Sequence, residues 1–246
     1  MSSNRNYKRQ LEDELRGIVK YIHSAATAAA TFFPIGITDV QKEYVQEKYV
    51  LGMSTNSSQD QLRCVLTVLG DTINHADISL KLHKHPNVMY HTAITQENPW
   101  KLQQIQDAAN YLCLVIQTAC QIVESKECTV EECYSILTEC LVLIDRCKNA
   151  LLIPKKKTMD ELLNSKNMKS LSPSLPGDLA ISFYLQGTKI VFSVYHLTQS
   201  VHGVRFETMQ GEATIPWTSK VLSLLHLGSQ IGQQMKDKVD IFLNKG

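Results

Sequence analysis

No apolar run in this chain approaches the length needed to span a bilayer. Residues 1–10 are polar where a secretory leader would be apolar, so neither membrane insertion nor a signal peptide is expected. The charges almost cancel. Lys and Arg number 25 against 24 Asp and Glu, a formal net charge of +1, which leaves composition with no case for nucleic acid or an anionic membrane surface. G-x-S-x-G, H-E-x-x-H, P-loop and G-x-G-x-x-G patterns are all missing. No catalytic, cofactor-binding or metal-binding residue is therefore assigned, no cofactor is expected, and the chain is not expected to be an enzyme. The 7 cysteines contain no C-x-x-C pair, the spacing on which a structural zinc site is built. An odd count without a leader points to reduced thiols.

What is present is the composition of an ordinary globular protein, 43% hydrophobic and 20% charged over 246 residues, enough for one large domain or two small ones. The clearest pattern lies at 98–151. Ile105, Ala109, Leu112, Ile116, Ala119 and Val123 recur at four-three spacing, as do Val130, Cys133, Leu137, Cys140, Ile144, Cys147 and Leu151. Each set places one apolar stripe on a helix. Asn98-Pro99 predicts the cap and first position of the first helix, a length of about 40 Å at 1.5 Å per residue. Thr129 and Glu132 predict a capping box for the second, with Cys128 and Cys133 as its hydrophobic staple. The connection over 124–128 is so short that the two helices must run antiparallel. Cys113 and Cys120 share the heptad spacing of Cys133, Cys140 and Cys147, so all five are expected to be small core residues.

Three further blocks follow the same logic. Leu11, Leu15, Ile18, Ile22, Ala25, Ala29 and Phe32 predict a helix over 3–33, ended by Pro34. Val221, Leu224, Ile231, Met235 and Phe242 predict another over 217–245, and Leu15 is expected to pack near Met235. Period-two alternation marks strands: one at 49–53, then Leu62 to Val68, the turn Gly70-Asp71, and Ile78 to Leu82. Residues 54–60 are expected to be a polar loop. Leu179 to Leu185, the turn Gly187-Thr188, Ile190 to His196 and a strand at 204–209 form a second block. Between the blocks, Thr158 and Glu161 predict a short capped helix, and 164–176 reads as a linker.

Separate strand and helix blocks imply an α+β fold, elongated, with an antiparallel helical bundle joined to a smaller antiparallel β domain. Residues 1–34, 98–153 and 217–246 are assigned to the bundle. Residues 35–97 and 177–216 are assigned to the β domain, and 154–176 to a connecting segment.

Several stretches carry a resemblance: WKLQQIQDA at 100–108, Gly70-Asp71 with HADISLK at 75–81, LPGDL at 175–179 with Tyr184 and VYHL at 194–197, and QQMKDKVDIF at 233–242. In this order, over nearly the whole chain, they resemble the Rogdi, or leucine-zipper-like, protein family. The resemblance implies an elongated fold with a helical and a β domain. It also implies a non-enzymatic adaptor, the small subunit of a RAVE-like complex built on rabconnectin-3 scaffolds. Such a complex promotes joining of the cytosolic and membrane sectors of the V-ATPase, and so supports vesicle acidification. The expected partners are rabconnectin-3 type scaffolds and V-ATPase subunits, without nucleic acid. The expected location is cytoplasmic, peripheral to V-ATPase-bearing membranes including synaptic vesicles, with a nuclear-envelope or nuclear association also known in the family. The chain looks shorter than vertebrate members at its N-terminus and between Leu197 and Thr214.

Competing local readings are weighed as follows. His75, Asp77, His83, His85 and His91 suggest a metal site, but no further ligand stands at a recognisable spacing. Lys155, Lys156 and Lys157 are a phosphate or nuclear-import patch or, more simply, cations favourable at a helix C-terminus. The heptads are a dimerising zipper or an internal bundle core, and stripes on four segments favour the core and a chain that is monomeric in isolation. The alternative in function is a small-molecule-binding or enzymatic α+β protein, which needs a pocket of converging polar groups.

Overall fold

Helical and two-residue periodicities divide the chain, and a computed structural model describes residues 2–37, 45–53, 61–82, 87–125, 127–155, 157–200 and 203–243. In order it forms α1 (Ser2–Phe32), β1 (Gln46–Met53), β2 (Gln61–Leu69), β3 (Thr72–Lys81), β4 (Met89–Ile94), β5 (Trp100–Lys101), α2 (Gln103–Glu124) and α3 (Val130–Leu152). It continues with α4 (Met159–Leu163), α5 (Lys166–Lys169), β6 (Leu179–Gln186), β7 (Lys189–Ser200), β8 (Gly203–Thr214) and α6 (Pro216–Leu243). The protein thus mixes helix with antiparallel sheet. It divides into two compact units, Met1–Lys42, Gln106–Leu151 and Pro216–Gly246 in one, Glu43–Ile105 and Leu152–Ile215 in the other.

The first unit contains the four long helices. α1 and α6 run antiparallel, with Tyr7 and Phe242 ring centroids 5.2 Å apart at one end and Phe33 and Trp217 5.3 Å apart at the other. Leu15 and Met235 are both buried along this seam, beside the Glu14–Lys238 ion pair. α2 and α3 also run antiparallel, Cys147 Sγ lying 3.2 Å from the Ala108 carbonyl and Cys140 Sγ 4.0 Å from that of Val115. Leu137 and Leu141 of α3 reach Gly232 of α6. The Leu137 stripe of α3 is buried throughout, from Val130 to Leu151.

The other seams depart from the expected residues. In α2 the expected Ile105, Ala109, Leu112 and Ala119 are buried, together with Gln104, Ala108, Val115, Thr118 and Ile122, while Ile116 is half-buried and Val123 exposed. Both flanks of that heptad are apolar, so spacing does not distinguish them. In α1 the buried residues are Leu11, Leu15, Val19, Ile22, Ala26, Ala29 and Ala30, followed by Phe33 just beyond its end, whereas Ile18 and Ala25 are half-buried and Phe32 is exposed under Lys220. In α6 Val221, Leu225, Met235 and Val239 are buried and Leu224 and Ile231 only half-buried. Both helices still bury a four-three repeat, positions 15, 19, 22, 26, 29 and on to 33 in one and 221, 225, 228, 232, 235 and 239 in the other, but 19, 26, 33, 225 and 232 lie one residue beyond the expected apolar positions. All seven cysteines are free thiols, with Cys64, Cys133, Cys140 and Cys147 buried. Cys113 and Cys120 are only half-buried, on the flank of α2 rather than in its seam.

The second unit holds an eight-stranded antiparallel sheet ordered β4-β3-β2-β1-β8-β7-β6, with β5 added to β3. Leu62, Cys64, Leu66 and Val68 are buried on one face of β2, opposite Leu80, Ile78 and Ala76 of β3. Gly70 takes φ 62° in their turn, and Gly187 takes φ 65° between β6 and β7. The strand blocks join where Gly52 pairs with Glu212 and Met53 with Gly211. A Cβ on Gly211 would lie 3.2 Å from the Gly52 carbonyl oxygen, so glycine permits this close approach as the sheet curls.

Here the structure corrects four expectations. Asn98-Pro99 does not cap α2, which starts at Gln103 and spans about 33 Å. Trp100 and Lys101 pair with Ile73 and Thr72, and the Leu102 N–H donates to the Asp71 carbonyl at 2.7 Å. Trp100 also packs edge-on to Phe183, so burial and sheet pairing outweigh the cap. Residues 164–176 are not a bare linker. They include α5, bury Met168 and Leu171, and bridge Ser172 to Ala93 of β4. β6 is buried on both faces rather than one, Ala180 and Ser182 included. β3 begins at Thr72 and β8 runs to Thr214, both longer than their alternation indicates. Residues 54–60 and His83 and His85 lie outside the described residues.

Candidate functional site

In the first unit the start of α3 faces the N-terminal half of α1 across an open cleft of about 660 Å³, lined by Lys8, Arg9, Glu12, Arg16, Cys128 and Glu132 among others. The capping box organises its floor. The Thr129 N–H donates to Glu132 Oε2 at 2.9 Å, and the Glu132 N–H donates to Thr129 Oγ1 at 3.2 Å. The Thr129 N–H, and then the Thr129 hydroxyl at 3.1 Å, hold the Glu132 carboxyl below the usual carboxylate range. Glu131 is lowered as well, first by its own backbone N–H and then by Lys8, whose Nζ lies 3.3 Å away. Both cations and carboxylates line this cleft. The expected staple is in place, with Cys128 and Cys133 sulfurs 2.9 Å apart. Burial, reinforced by the hydrogen bond with Cys128, pushes the Cys133 thiol up to about 12, while the Arg16 charge acts in the opposite sense.

A second depression of about 530 Å³ opens where the start of α1 meets the end of α6, between Tyr7, Gln234, Asp237, Lys238, Ile241 and Phe242. Tyr7 and Ile241 are 43% and 57% exposed there, an apolar rim on charged walls. Nearby, the Tyr134 hydroxyl donates to Asp240, a bond that raises the Tyr134 pKa.

The second unit has polar groups built into its sheet. Gln104 accepts from the Leu185 N–H at 2.8 Å and donates to the Leu185 carbonyl at 2.9 Å. Its amide thus stands in for a neighbouring strand along the edge strand β6. Gln210 donates to Tyr184 Oη at 2.9 Å and to Ser193 Oγ at 3.1 Å. Desolvation raises the Tyr184 pKa. His196 is 4% exposed, with Nε2 3.5 Å from Asp178 Oδ2 and Nδ1 4.0 Å from Glu207 Oε2.

The described residues among those singled out from sequence do not assemble into one centre. His75 pairs with Asp77 on β3 at 3.2 Å, and His91 meets Ser79 at 3.1 Å. Among the described residues no group of His, Cys, Asp and Glu is close enough to hold a metal ion. Lys155 and Lys157 are exposed beyond the end of α3, and Lys157 also favours the Glu161 carboxylate of the second capping box. Lys156 lies outside the described residues. The α3 heptad residues are buried against helices of the same chain, which leaves no open zipper face on that stripe. Sequence reasoning gave Gln104 no role and put His196 in the alternating series of its strand, but the Leu185 backbone that Gln104 meets and the Asp178 and Glu207 carboxylates near His196 are not visible in a short window. No described helix is long and apolar enough to cross a membrane.

Comparison with known proteins follows the full length of this architecture. The family model described as "Rogdi leucine zipper containing protein" matches residues 6–243. The chain is 42% identical over 233 residues to "Protein rogdi" of Drosophila melanogaster, covering 94% of this chain and 85% of the fly protein. It is 28% identical over 264 residues to "Protein rogdi homolog" of Danio rerio, covering 94% and 90%. The corresponding Homo sapiens protein is 27% identical over 260 residues, with 94% and 89% covered. A match running from α1 into the last turns of α6 includes every helix and strand of both units, and the chain belongs to the Rogdi leucine zipper family.

Proposed function

We propose that this chain is a non-enzymatic adaptor subunit of a RAVE-like, rabconnectin-3 complex that promotes joining of the V-ATPase cytosolic sector to its membrane sector. The observation that carries the proposal is the family match over residues 6–243. Two physical features support it. The heptad stripe of α3 is used inside the chain, so partner binding falls to other surfaces. Both described depressions are open and charged, with apolar residues at the rim of one, in keeping with the polar, modest interfaces of transient assemblies. The protein acts at the cytoplasmic face of V-ATPase-bearing membranes, synaptic vesicles among them, with a nuclear pool as a second location. It is a monomer until it joins the complex.

Affinity purification of the tagged chain from cells tests this directly. Rabconnectin-3 type scaffolds and cytosolic-sector pump subunits should co-purify. Their absence, together with a small molecule retained by the purified protein, would favour the pocket-based alternative instead.

A further inference from the structure

The Cys128–Cys133 contact goes beyond an adaptor role. Cys128 precedes the Thr129 cap and Cys133 lies one turn into α3, so the reciprocal Thr129–Glu132 bonds fix both ends of the pair. Their sulfurs are 2.9 Å apart, about 0.9 Å from disulfide bonding distance. The two thiols differ in access. Cys133 is fully buried, whereas Cys128 is half-buried and lines the open cleft beside Arg9 and Arg16. Cys120 faces the Glu124 carboxylate, Cys140 the Val115 carbonyl and Cys147 the Ala108 carbonyl, and Cys128 also lies 3.5 Å from the Thr129 carbonyl, but between Cys128 and Cys133 sulfur meets sulfur. A heptad cysteine and a loop cysteine therefore make a pair built differently from the rest.

We propose that Cys128 and Cys133 are a peroxide-oxidisable dithiol, a modification site that locks the first turn of α3 when it closes. The Cys128 thiolate attacks one oxygen of hydrogen peroxide, breaking the O–O bond. The product is a Cys128 sulfenic acid and a hydroxide that takes up the thiol proton as water. The Cys133 sulfur then attacks the Cys128 sulfur, forming the S–S bond and expelling the sulfenic oxygen as a second water with the Cys133 proton. Overall two thiols are oxidised and one peroxide is reduced to two waters. Cys128 receives the oxidant because it is the accessible member, and Cys133 resolves the intermediate because it is already in contact. Arg16 favours the charge that develops on Cys133. A dithiol reductant reverses the change.

The test treats the purified full chain with dilute hydrogen peroxide, blocks remaining thiols with N-ethylmaleimide and digests without reduction, using a protease that cuts after glutamate. Cleavage after Glu127, Glu131, Glu132 and Glu139 separates the two cysteines. Fragment 128–131 should remain linked to fragment 133–139, two hydrogens lighter than their sum, and dithiothreitol should abolish the link. Cys128→Ser should lose the link and leave Cys133 a slowly alkylated thiol, while Cys120→Ser should keep it. The wild-type map is decisive even if one variant folds poorly. Separate oxidation of the two cysteines without a link would overturn the proposal. So would links running instead to Cys113, Cys120 or a second molecule.

Discussion

Two helix pairs in the first unit solve the same packing problem differently. α2 and α3 keep a seven-residue repeat: Ile105, Leu112 and Ala119 on one, Val130, Leu137, Ile144 and Leu151 on the other. α1 and α6 keep it too, with Leu15, Ile22 and Ala29 on one and Val221, Gly228 and Met235 on the other. Seven residues fall about 20° short of two helical turns, so such a seam stays in register when its helices wind slightly around each other. The contacts differ in size. Cysteine and branched side chains fill the α2–α3 seam, while Ala25, Ala26, Gly228 and Gly232 bring α1 and α6 close. A heptad in a sequence is thus evidence of a helix, but its partner decides which flank is buried.

The largest effect should come from charge in the α2–α3 pair. Cys140→Asp puts an unpaired carboxylate at a fully buried position and should destabilise the fold by about 4 kcal/mol or more. Denaturant unfolding measures it, and a loss below about 1 kcal/mol would place Cys140 outside the core. Leu137→Ala should cost about 2–5 kcal/mol through a cavity. Leu137 also approaches Gly232, so the damage should extend into the α3–α6 contact, readable as faster amide exchange in both helices.

The α1–α6 pair is broken by bulk instead. At Gly232 a Cβ already comes within 2.8 Å of Leu141 and 3.1 Å of Ile22, so Gly232→Val should cost about 1–3 kcal/mol by overpacking. One turn away, at Gly228, the same Cβ meets only ordinary contacts at 3.9 and 4.0 Å. Gly228→Ala should therefore stabilise by up to about 1 kcal/mol through helix propensity. Equal effects at the two glycines would remove the distinction.

The smallest effect concerns the α3 cap. Glu132 is held below its ordinary carboxylate range, so its contribution is complete above the unfolded pKa of about 4.3 and is lost as pH falls through the folded value. The Tm difference between the wild type and Glu132→Gln should be present at pH 7 and close in acid. A gap that widens in acid would contradict the assignment.

The same contrast explains what the sequence made legible. The α3 stripe was readable to the residue because Val130, Leu137, Ile144 and Leu151 have polar neighbours on the outward face. In α2, Val115 and Ile116 are equally apolar, and so are Ile122 and Val123, so the chosen flank depended on α3. The hairpins around Gly70 and Gly187 were marked by positive-φ glycines at their turns. β4 and β5 were missed because their pairing with β3 is set by distant contacts. Lys101 sits opposite Thr72 and Trp100 against Phe183, neither visible within a short window. α5 hid in a Ser-, Asn- and Lys-rich stretch whose few apolar residues, Met168 and Leu171, are buried in the structure. The cap at Thr129 was legible, yet the closeness of its two sulfurs is a matter of rotamers, which spacing does not record.

The measurement that bears most directly on the proposed role is the fraction of V-ATPase cytosolic sector bound to membranes in cells with and without this protein. The adaptor account predicts that pump subunits persist at normal amounts while the membrane-bound fraction falls and luminal pH rises, both restored by the wild-type chain. An unchanged membrane-bound fraction and an unchanged luminal pH would contradict it.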